Sequence, residues 1–200
     1  DDEIIADMRQ SPILYFNGHK SPLRRFQDRE NTLIKRFLEN GGFLVAEACC
    51  GSKDFDDGIK EWVKELWPGS ELMNLESTHP IWTAHHTINA GDPFKLMGLQ
   101  VGCRTVMIYS PQDLSCHWEA NQPTRGVSKR AFELGENLIA YGTGKIRPQP
   151  RLTPIEIAGE RKPASKPNKR GYLQAGQLVV NRENFPAPQA MNNLLEHVHK

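Results

Sequence analysis

Short apolar runs of strand length alternate along the chain with longer segments whose apolar residues recur every three to four positions. Residues 11–16 (SPILYF), followed by Asn17, Gly18 and His19, predict a buried strand ending in a loop. Residues 28–40 place Leu33, Ile34, Phe37 and Leu38 on one helical face, and Gly41 and Gly42 supply the stop. Residues 43–48 (FLVAEA) predict a second buried strand. Phe55, Ile59, Trp62, Val63 and Leu66 then repeat at helical spacing, with Asp54 as the N-cap and Pro68 beyond the end. Residues 71–75 form a shorter strand candidate. Residues 99–110 predict a pair of strands or one strand broken near Gly102, and Ala131, Leu134, Leu138 and Tyr141 line a helix ended by Gly142 and Gly144.

Residues 78–94 interrupt this rhythm. They hold His79, His85 and His86 with two prolines and little periodicity, which predicts a long surface loop or excursion. Elsewhere strand and helix alternate through tight connections. That pattern predicts an α/β fold of three layers, a mostly parallel sheet flanked by helices.

Charge divides the chain of 200 residues further. Residues 1–144 carry 15 basic and 20 acidic side chains, residues 145–171 carry 8 and 2, and residues 172–200 carry 2 and 2, so the net charge of +1 is a cancellation. The acidic body excludes a generally basic nucleic-acid-binding domain. The middle segment, with five prolines and no apolar run, predicts an extended linker. Beyond it, residues 178–180 are a strand candidate, and Met191, Leu194, Leu195 and Val198 share one face of a helix candidate over residues 188–198. One strand and one helix bury no core alone. The expected organisation is a body (1–144), a linker (145–171) and a tail (172–200) that docks on the body or opens a following repeat. No apolar run approaches the roughly 20 residues that cross a bilayer. The chain opens on Asp1 without a leader pattern, the expectation for a piece of a longer protein whose neighbouring domains are its partners.

In open parallel α/β sheets ligands collect beyond the carboxyl ends of the strands. The three segments leading there deliver Asn17 and His19, then Cys49, Cys50, Gly51 and Ser52, then Asp113, Ser115, Cys116, His117 and Glu119. In residues 43–52 (FLVAEACCGS) a buried strand turns at a cysteine and a glycine into a helix, the layout of a nucleophile elbow. Aligned on the pattern Gly-x-nucleophile-x-Gly, Cys49 is the central residue, Gly51 matches the trailing glycine and Glu47 replaces the leading one. His117-Trp118-Glu119 has the spacing by which a carboxylate orients a base, so Cys49, His117 and Glu119 are candidate catalytic residues. Asn17, His19, Cys50, Gly51 and Asp113 are candidate ligand-binding residues. The alternative is that Cys49 and Cys50 are packing residues and His117 a loop histidine beside a packed tryptophan. His79, His85 and His86 with Cys116 and His117 are a candidate metal set, but no pair has compact ligand spacing such as Cys-x-x-Cys, and no phosphate-binding glycine loop occurs, so neither a metal nor another cofactor is expected.

The segments ILYFNGH, FLENGGFLVAEACCGSKDFD, Thr78-His79-Pro80-Ile81, YSPQDLSCHWE and ENLIAYGTG, in that order, resemble the bacterial domain-of-unknown-function family 4159 over residues 10–144. The resemblance implies a flavodoxin-like fold similar to class I glutamine amidotransferases, inside longer bacterial proteins, some of them of the cell envelope. It implies no established activity. In that comparison Cys49 falls where the amidotransferase nucleophile sits, and His117 and Glu119 resemble the His-x-Glu pair. The function expected is a noncanonical ligand-binding or interaction module, with a cysteine-dependent hydrolase or amidase using Cys49 as the alternative.

Overall fold

Alternation within each strand decides which of two cores a side chain enters. In β1 (Ile13–Gly18) and β2 (Phe43–Ala48), Ile13, Tyr15, Phe43 and Val45 face one way, while Leu14, Phe16, Leu44, Ala46 and Ala48 face the other. Both faces are apolar because helices cover both. The computed structural model describes residues 2–23, 25–145, 175–177 and 189–198. The expected linker beyond Lys145 and the strand candidate at residues 178–180 lie outside them.

The element order is α1 (Asp2–Met8), β1, α2 (Asp28–Glu39), β2, α3 (Lys53–Leu66), β3 (Met73–Asn74), β4 (Met97–Val101), β5 (Arg104–Ser110), α4 (Ser115–Glu119), α5 (Gly126–Thr143), β6 (Ala175–Gln177) and α6 (Ala190–Val198). The sheet runs β3-β4-β5-β2-β1-β6. β6, β1, β2 and β5 pair in parallel, whereas β4 pairs antiparallel with both β5 and β3. The sheet is therefore mixed, with an antiparallel flank built from the hairpin that turns at Gly102. One core lies under α2 and α3, centred on Phe37, Leu38, Ile59, Trp62 and Phe16. The other joins Tyr15, Trp118, Phe132 and Leu138 to Ile81, Trp82 and Leu194.

The structure corrects several expectations. β1 continues through Asn17 and Gly18, so Asn17 is a strand residue. The α3 cap is Ser52, whose hydroxyl accepts from the Phe55 N–H, while Asp54 instead accepts from the backbone N–H of Ser21. Residues 78–94 are an irregular excursion that lies only partly at the surface. Ile81, Trp82, Ile88 and Phe94 are buried, and a short 3-10 turn at Pro80–Thr83 seats the first two against α5. Aperiodic spacing hid this, because an irregular segment buries side chains without a repeat. α1 and α4 are also present, each too short for its periodicity to register.

Residues of the tail meet the body at two places. β6 pairs with the outer edge of β1, Ile13 opposite Ala175. α6 packs on α4 and α5 through Met191 and Leu194, and Asn193 Nδ2 donates to the Trp118 carbonyl at 3.0 Å. No helix among the described residues is long and apolar enough to cross a membrane.

Candidate functional site

β1, β2 and β5 run parallel side by side, with Asn17 opposite Glu47 and Glu47 opposite Ser110. Glu47 is the charged residue in an otherwise apolar strand, and it is fully buried. Its carboxylate accepts from Tyr15 Oη at 3.0 Å, Asn17 Nδ2 at 3.3 Å, the Leu114 N–H at 2.8 Å, and the Ser115 N–H at 3.1 and 3.0 Å. Burial pushes Glu47 up to about 7, against the hydrogen bonds from Ser115, Leu114 and Tyr15 that hold it down. These bonds pin the start of α4 to the end of β2. They fix the position of Asp113, which precedes Leu114.

Beyond Ala48 the backbone makes a single 3-10 turn at Cys49–Gly51 and enters α3. Cys49 is buried, whereas Cys50 is exposed and adopts φ 54° and ψ 21°. A left-handed conformation is uncommon for a residue with a Cβ and marks a point of strain. The residue presented by the turn is thus Cys50, one position beyond the one that the Gly-x-Cys-x-Gly alignment selects. Ala48 and Ser52 flank it at two positions on either side, and Glu47 lies in the strand, outside the tight turn. A non-glycine residue with positive φ leaves no mark in a sequence, so the alignment had no means of finding it.

Asp113, in the loop between β5 and α4, closes the site. Oδ2 accepts the Cys50 N–H at 2.7 Å, and Oδ1 accepts the Cys116 N–H at 2.8 Å and the Ser115 hydroxyl at 3.4 Å. Burial raises Asp113, but hydrogen bonds from Cys116 and Cys50 outweigh it and hold the carboxyl below its usual range. The Cys49 Sγ lies 3.8 Å from Asp113 Oδ2 and 3.9 Å from the Cys50 Sγ. The ligand atoms of Cys49, Cys50, Asp113 and Cys116 all lie within 4.8 Å of one another. Tetrahedral zinc bonds of about 2.3 Å to sulfur require sulfur atoms about 3.8 Å apart, close to the spacing seen here. Cys116 and Asp113 meet Cys49 and Cys50 only through the fold, because the two pairs lie more than 60 residues apart.

The other candidates stand elsewhere. His117 Nδ1 is 3.1 Å from the Ser128 hydroxyl, and its ring packs edge-on against Phe94. Glu119 accepts the Gln189 N–H at 2.7 Å. The hydrogen bonds of this pair are thus directed to α5 and to the start of α6 rather than to Cys49. His19 is exposed, with its carbonyl accepting from the Ser52 hydroxyl, and Gly51 sits in the turn at φ 66°. His79 bonds Thr105 Oγ1 at 3.1 Å and packs on Tyr141, away from the thiols.

Around Cys49 the electrostatics are negative. Burial first, and then the Asp113 charge, push its thiol far above the usual range, while burial, the hydrogen bond to Asp113 and then the Asp113 charge lift Cys116 up to about 12. Such thiols keep their protons at neutral pH unless a cation replaces them.

No curated protein is significantly similar to the chain. The family described as "Domain of unknown function (DUF4159)" matches residues 5–143. That span covers most of the chain and contains every strand-end residue described above, and the chain belongs to this family.

Proposed function

We propose that the domain is a binding module whose strand-end site takes a thiophilic divalent cation such as zinc, with Cys49, Cys50 and Cys116 as sulfur ligands and Asp113 as the oxygen ligand. The convergence of these four donors carries the reading. Three sulfurs and one carboxylate oxygen suit a borderline-soft ion in tetrahedral geometry. The site lies where open α/β domains gather ligands, and a module of this kind fits a place beside other domains of a longer chain.

The turn from β2 through Cys50 into α3 supports kinship with the class I glutamine amidotransferase fold. It gives less support to their chemistry. A hydrolase using Cys49, His117 and Glu119 needs an accessible thiolate beside a base, whereas Cys49 is sealed, its thiol is pushed up, and His117 is engaged by Ser128. The left-handed, exposed Cys50 is the observation that favours acyl chemistry, and it predicts a Cys50 thiol that alkylates rapidly at neutral pH.

Cobalt(II) titration of reduced, metal-free protein tests the proposal. A sulfur-to-cobalt charge-transfer band in the near ultraviolet, bleached by zinc, is expected for the wild type. Cys50→Ser and Cys116→Ser should weaken it, while Cys103→Ser, at an exposed cysteine outside the cluster, should leave it unchanged. Absence of the band in folded wild-type protein overturns the reading.

A further inference from the structure

A second group of convergent side chains lies where the segment after the Pro80–Thr83 turn meets α5 and α6. Adjacent histidines commonly point apart, but Asn137, fully buried in α5, turns this backbone on itself. Its Oδ1 accepts the N–H groups of His85 at 3.0 Å and His86 at 2.6 Å, and its Nδ2 donates to the carbonyls of Ile81 at 2.8 Å and His86 at 2.9 Å. The two imidazoles consequently meet edge to face, with centroids 4.5 Å apart. Both Nε2 atoms reach the same oxygen of Glu136, His85 at 3.1 Å and His86 in a shorter contact. From α6, His197 Nε2 approaches the other oxygen at 3.1 Å, its ring set edge-on against Phe132.

We propose that His85, His86 and Glu136 form a nitrogen-rich site for zinc or a similar borderline divalent cation, with His197 as the outer partner that orients the carboxylate. The three ligating atoms lie within 4.8 Å of one another. Tetrahedral zinc with bonds of about 2.0–2.1 Å to nitrogen and oxygen sets these atoms about 3.3 Å apart, close to the His85–Glu136 separation. The carboxylate and one imidazole are largely covered, the side chains of Glu136 and His85 being 13% and 16% exposed, while His86 at 35% leaves one side of the group open to solvent. Without a cation, three imidazoles must all present an N–H to one carboxylate. A cation takes the nitrogen lone pairs in place of those protons, which requires the short His86–Glu136 contact to open as the ion enters, and the remaining coordination position is open to water. A metal-binding carboxylate is commonly held by an outer hydrogen-bond partner, the place His197 occupies. Because the ligands belong to the body and His197 to α6, the bound ion also tightens the docking of that helix.

The site shares no residue with the strand-end cysteines, so stoichiometry separates the two proposals. Calorimetric titration of zinc into reduced, metal-free wild-type protein is expected to give two equivalents, with Glu136→Gln and His86→Ala each removing one while the sulfur-to-cobalt band persists. In Cys50→Ser/Cys116→Ser the nitrogen site alone should bind, and cobalt should give visible bands without the sulfur transition. His197→Gln is expected to weaken this binding by about tenfold and to abolish zinc-dependent protection of the α6 amides from hydrogen exchange. Zinc stoichiometry unchanged by both Glu136→Gln and His86→Ala in folded protein overturns the proposal, whatever becomes of the thiol site.

Discussion

Tyr15 and Glu47, on neighbouring parallel strands, meet through a 3.0 Å hydrogen bond between phenol and carboxylate, and both are closed to solvent. The pair lies directly beneath the start of α4, so it ties the interior of the sheet to the loop that carries Asp113 and to the helix that carries Cys116. Burial makes this tie dependent on pH.

Glu47 is raised from the ordinary 4.5 to about 7 in the folded protein. Below the ordinary value both folded and unfolded chains hold the proton, and the full contribution to stability is present. Between the two values the unfolded chain ionises while the folded one does not, so stability falls as pH rises and the loss is complete above the folded value. The total is on the order of 3 kcal/mol. Urea midpoints at pH 5 and pH 8 should separate accordingly in the wild type, and Glu47→Gln should remove that part of the difference. An identical pH dependence in the variant would count against the assignment.

Cys50 holds a left-handed conformation that glycine adopts without strain. In metal-free protein, Cys50→Gly is expected to be more stable than Cys50→Ala by about 1 kcal/mol, because alanine retains the Cβ that disfavours the turn. Paired denaturation curves measure this. Equal midpoints would indicate that the turn carries no strain.

Gly58 is a helical position where alanine ordinarily stabilises, yet a Cβ there would stand 2.0 Å from Ser21 Oγ and 2.8 Å from Ser21 Cα. The backbone of residue 21 cannot move without disturbing its bond to Asp54. Gly58→Ala is therefore expected to destabilise by about 1–3 kcal/mol despite its helix propensity. Ser21→Gly should restore only part of the loss, because the new methyl group still crowds the backbone of residue 21. A stabilised Gly58→Ala protein would refute the close approach.

Leu194 is buried at 2% exposure against the core around Trp118 and Leu138, and it is a principal apolar anchor of α6. Leu194→Ala should release α6 before the rest unfolds, since α6 is a short terminal helix whose packing on the body is chiefly against α4 and α5. Faster hydrogen exchange and proteolysis confined to residues 189–198 are expected, with the unfolding midpoint of the body shifted much less. Uniform acceleration throughout the chain would show instead that α6 is integral to the cooperative unit.

How far the chain announces its structure differs from element to element. The apolar runs that become β1 and β2 and the spaced apolar residues of α2, α3 and α5 are visible because each records a local rule, two-residue alternation or the helical repeat. The buried segment around Ile81 and Trp82 follows no repeat and reads as surface. Asn17, Cys49, Cys50, Asp113 and Cys116 are legible as strand-end residues from the order of strands and turns, whereas the convergence of the thiols on Asp113 and the grouping of His85, His86, Glu136 and His197 are not, since their partners come from distant segments.

The alternation of strand and helix, the strand-end position of the cysteines and the family all follow from the residue order, because burial periodicity and short motifs are written locally. Tertiary structure decided that β4 enters antiparallel, that Cys50 rather than Cys49 stands at the turn, and that thiols and imidazoles gather into two separate clusters. Each of those outcomes depends on which distant segments pair, and on one backbone rotation at a residue whose type does not prescribe it.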